Sequence, residues 1–64
     1  MDFVNINPGP KTHLRQTFTI TKGAQIFFLT YDASCDSIIW NMVLDDYILK
    51  REIEDLLKKH LTNQ

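Results

Sequence analysis

From His13 to Thr21 the chain alternates. Leu14, Gln16, Phe18 and Ile20 point one way, and His13, Arg15, Thr17, Thr19 and Thr21 point the other. A period of two, carried by β-branched and aromatic residues, predicts a half-buried strand. Ala24 to Asp32 predicts a second strand, and Thr21-Lys22-Gly23 between them suits a three-residue hairpin loop with Gly23 left-handed. That loop sets Ile20 opposite Ala24, Phe18 opposite Ile26 and Gln16 opposite Phe28, and so gathers Phe18, Ile20, Ile26 and Phe28 on one face.

The second strand is apolar on both faces. Phe27, Leu29 and Tyr31 lie opposite Ile26, Phe28 and Thr30, which a strand buried on one side does not need. This surplus stripe, flanked by Arg15, is the candidate protein interface. Contiguous exposed apolar patches on soluble proteins mark interaction sites. Its competing explanation is cover from within the chain, by Phe3, Val4 and Ile6 folding back.

Residues 32–37 form a polar turn. Beyond it, Ile38, Trp40, Met42 and Leu44 alternate with Ile39, Asn41, Val43 and Asp45, which reads as a third strand over 38–44. The same stretch also reads as a helix capped by Ser34, with Cys35, Ile38, Ile39 and Met42 inward. The β-branched residues favour the strand. From about residue 46 to 61 the period lengthens, with Leu49, Ile53, Leu56, Leu57 and then His60 or Leu61 on one helical face. Asp45 or Asp46 suits the N-cap, acids suit the first turn, and Lys58, Lys59 and His60 suit the negative end of the helix dipole. Asn5 to Pro10 reads as a turn, because two prolines around a glycine fit neither a helix nor a central strand. The expected fold is therefore α+β. One small domain over 1–64 holds a small antiparallel sheet (hairpin 13–21/24–32, third strand 38–44) packed by one C-terminal helix, and 1–11 form an N-terminal arm. In that arrangement Leu49, Ile53, Leu56 and Leu57 meet Phe18, Ile20, Ile26 and Phe28.

Composition narrows the function. Sixty-four residues with a net charge of −1 bury a small core, so such a domain gains from a staple or a partner. A single cysteine removes an internal disulfide, and no Cys/His spacing suits zinc. The free thiol, the absence of a glycosylation sequon and the acidic start of the chain fit an intracellular protein, cytoplasmic or nuclear and not secreted. No uncharged stretch approaches the length of a membrane span.

The candidate chemistry is thin. Asp32-x-Ser34-x-Asp36 opens like a calcium loop but has Ser37 and Val43 where glycine and glutamate are needed, so an Asx turn explains it better. Cys35 lacks a neighbouring base or cation, and Asp45-Asp46 is accounted for by capping. Neither metal nor cofactor is expected, and no acid, base and nucleophile converge as an enzyme requires.

The expectation is a small non-enzymatic protein-interaction module acting through an apolar sheet face or edge. It would be a subunit, adaptor or inhibitor, in the manner of the small regulatory proteins that phages make. Its partner is another protein chain, itself as a homodimer or a specific one. The alternative is a nucleic-acid-binding module that uses Phe27, Tyr31 and Trp40 with the basic helix residues Lys50, Arg51, Lys58 and Lys59. Interleaved acids and the lone Arg15 near the aromatics weigh against it.

Overall fold

The computed structural model describes residues 3–63. Four strands, β1 (Val4–Thr12), β2 (Arg15–Lys22), β3 (Gln25–Asp32) and β4 (Ser37–Trp40), form an antiparallel meander in chain order. The helix α1 (Tyr47–Thr62) packs on one face of it. This is the small α+β fold expected.

The hairpin β2–β3 closes differently from the expectation. Lys22 pairs with Gln25, leaving a two-residue loop of Gly23 and Ala24. Gly23 has φ 59°, as a glycine-first primed turn requires, and such turns match the twist of the strands they join. Ile20 now faces Phe27 rather than Ala24, and Phe18 faces Leu29 rather than Ile26. An odd shift in register moves every side chain of a strand to the other face. Phe27 and Leu29 therefore join Phe18, Ile20, Ile53 and Leu57 in the core, while Ile26 and Phe28 stay about half exposed.

The physical reason lies at the far end of β3. Asp32 shares its side of the strand with Ile26, Phe28 and Thr30. The expected register would have turned that carboxylate and Thr30 toward the helix. The observed register sends them to the face of Arg15, Thr17, Thr19 and Thr21, where Arg15 Nε donates to Asp32 Oδ2 at 3.2 Å.

Residues 4–11 are not an arm but most of β1; residues 1 and 2 lie outside the described residues. Val4 and Ile6 pack against the core and alternate with exposed Asn5 and Asn7. The Pro-Gly-Pro segment sits on an edge strand, with an irregularity between Pro8 and Lys11. Gly23 N–H donates to the Phe3 carbonyl, so by the two-residue period Val4, Ile6 and Pro8 direct their backbone groups away from β2. Pro8 thus loses no ladder bond, which is where a strand tolerates proline. Gly9 is needed for close approach: a Cβ there would lie 2.5 Å from Thr17 Oγ1 and 3.2 Å from the Thr17 carbonyl. His13 and Leu14, expected to open the second strand, instead form the β1–β2 turn, with His13 at φ 56°.

The third expected strand is shorter than 38–44. It pairs only through Trp40, and Asn41 N–H then reaches the Phe28 carbonyl at 3.0 Å. The alternation nevertheless persists: Ile38, Trp40, Met42 and Leu44 pack on the core, while Ile39, Asn41 and Val43 are exposed.

Helix α1 follows its pattern. Asp46 is the N-cap, its Oδ1 accepting from Leu49 N–H at 3.1 Å, and Lys59 and His60 occupy the last turn. The first turn holds no acid, because the carboxylates expected there precede it. Ile53 and Leu57 are fully buried. Two polar bonds tie the helix flanks to the sheet: Lys22 Nζ donates to Glu52 Oε1 at 2.6 Å, and Trp40 Nε1 donates to Glu54 Oε2 at 2.7 Å. Edge-on ring contacts, Phe27 with Trp40 and Phe18 with His60, complete the layer.

Candidate interaction face

A helix covers one face of a sheet. Among the described residues no helix covers the other face of this one. Along β2 it carries Thr17, Thr19 and Thr21, along β3 Ile26, Phe28 and Thr30, and on β4 Ile39. Threonines on a strand supply β-propensity with only one methyl group of apolar surface each, so this side of β2 reads as polar. Its neighbours do not: Ile26 is 51% exposed, Phe28 48% and Ile39 40%. Thr30 pairs with Ile39, which brings Phe28 and Ile39 into diagonal reach across β3 and β4.

The apolar residues left exposed on β3 are thus Ile26 and Phe28, not the Phe27, Leu29 and Tyr31 expected. Phe27 and Leu29 are buried under α1. Tyr31 is half-buried on that same inner side, its hydroxyl donating to Asp36 Oδ1 at 2.7 Å. Of the four expected interface residues only Arg15 lies on the open face, at one end and paired with Asp32. Of the residues expected to fold back, Val4 and Ile6 line the core as strand residues beside β2, whereas Phe3 is exposed.

The β3–β4 turn is built around Asp32. Its Oδ1 accepts from the backbone N–H of Ser34 at 3.0 Å and from the Ser34 hydroxyl at 2.5 Å, an Asx turn. These bonds, with the Arg15 guanidinium, hold the Asp32 carboxyl below its ordinary value of 3.8. A carboxyl depressed on folding contributes stability that is present above the unfolded value and lost as pH falls through the lower folded value. Thermal midpoints of the wild type should therefore fall more steeply than those of Asp32→Asn once the pH drops below about 3.8. Parallel curves would contradict that assignment. The Tyr31 phenol is raised above 10.0, chiefly by its bond to Asp36.

The reactive residue types do not converge. Cys35 is exposed in the β3–β4 turn with Sγ 2.9 Å from Ser37 Oγ, His13 lies in the β1–β2 turn, and His60 packs against Phe18. Among the described residues no group of three or more His, Cys, Asp or Glu could hold a metal ion. The aromatics that would stack bases are not displayed together: Phe27 is buried, and Trp40 is half-buried with Lys50 Nζ 5.7 Å above its ring. Acids stand among the basic helix residues, with Glu52 and Asp55 beside Arg51 and Lys59, and Glu54 beside Lys50 and Lys58. Among the described residues no helix is long and apolar enough to cross a membrane.

Periodicity alone does not choose this face: only once Lys22 pairs with Gln25 do Asp32 and the three β2 threonines share one side, and that side exposes Ile26 and Phe28. Comparison with protein-family models, with curated proteins and with solved structures finds no match to this chain.

Proposed function

We propose that this chain is a non-enzymatic protein-interaction module, a subunit, adaptor or inhibitor, that works by burying the open face of its sheet against another protein chain. One observation carries the reading. Ile26, Phe28 and Ile39 form a contiguous apolar stripe on the face the helix leaves uncovered, while the core is complete without them. Exposed apolar surface of this kind marks contact sites. The scatter of cysteine, histidines and acids gives no convergent set for catalysis. The aromatic arrangement gives no reason to prefer nucleic acid.

The test places a photoreactive benzoylphenylalanine at position 28 in the cells that make the protein, with the same group at the exposed helix position 51 as control. Irradiation should yield a protein adduct from position 28 and none from position 51. Equal adducts from both positions, or none from either, would contradict the reading.

A further inference from the structure

We draw no further inference here: the strongest candidate, the sheet face that α1 leaves uncovered around Ile26, Phe28 and Ile39, belongs to the site already described, and nothing in the structure shows what covers it.

Discussion

Replacing Phe27 with alanine should remove a large share of the protein's stability, while replacing its neighbour Phe28 with serine should remove little. Phe27 is 2% exposed, faces Ile20 across the hairpin and meets the Trp40 ring edge-on. Truncating a buried phenylalanine costs about 3–5 kcal/mol, since the lost transfer energy is joined by the cavity left behind. A domain of this length carries only on the order of 3–10 kcal/mol in total. Phe28 is half exposed and touches solvent on the uncovered face, so its loss removes about 1 kcal/mol of partial burial and strand preference. Denaturant midpoints of the two variants, compared at one pH and a concentration low enough to hold monomer, check the contrast. Equal losses, or a larger loss from Phe28→Ser, would contradict the register of the hairpin.

The second large effect is expected at Ile53. Its side chain is fully buried between the helix and the sheet. In Ile53→Asp an ionised carboxylate would have to enter that layer without a partner, at a cost of several kcal/mol. The helix has a way out, which is to leave the sheet. A free helix of this length is marginal in water, so undocking means loss of helix as well. The sheet would then expose apolar residues on both faces. Far-UV circular dichroism should show the helical signal collapse at neutral pH. It should return partly as acid protonates the new carboxyl, provided the acid itself spares the fold. A variant with undiminished helix at neutral pH would contradict the placement of Ile53 under the sheet.

These two positions show why some of the structure was legible in the sequence and some was not. The helix was readable because its signal is local. Leu49, Ile53, Leu56, Leu57 and Leu61 recur at a period that no strand can use, and the cap at Asp46 stands beside them. The alternation through Ile38, Trp40, Met42 and Leu44 was readable for the same reason, although the paired strand stops at Trp40. The face of β3 was not, because Ile26 and Phe28 balance Phe27 and Leu29, and periodicity gives the period of a strand but not its side. That choice is made across the hairpin. The loop is one residue shorter than expected, and the parity of Asp32 with Arg15 and the β2 threonines decides which side can be buried. Strand β1 was missed because prolines and a glycine carry a strong turn signal, which an edge strand can absorb at an outward-facing position, as at Pro8, and at an irregularity such as the one between Pro8 and Lys11. The strand follows the alternation of Val4 and Ile6 with exposed Asn5 and Asn7 instead.

The candidate site moved with the register. A stripe in excess of the needs of the core was visible in the sequence, and its two isoleucines and one phenylalanine became identifiable once the pairing of β2 with β3 was known. The functional reading therefore depends on which aromatic ring of β3 the helix covers. Nuclear Overhauser contacts from the two rings, in protein dilute enough to be monomeric, test this most directly. The account predicts that the Phe27 ring contacts Trp40 and the methyl groups of Ile53 and Leu57, and that the Phe28 ring contacts no residue of the helix. Contacts from the Phe28 ring to those helix methyls would contradict it and would close the open face.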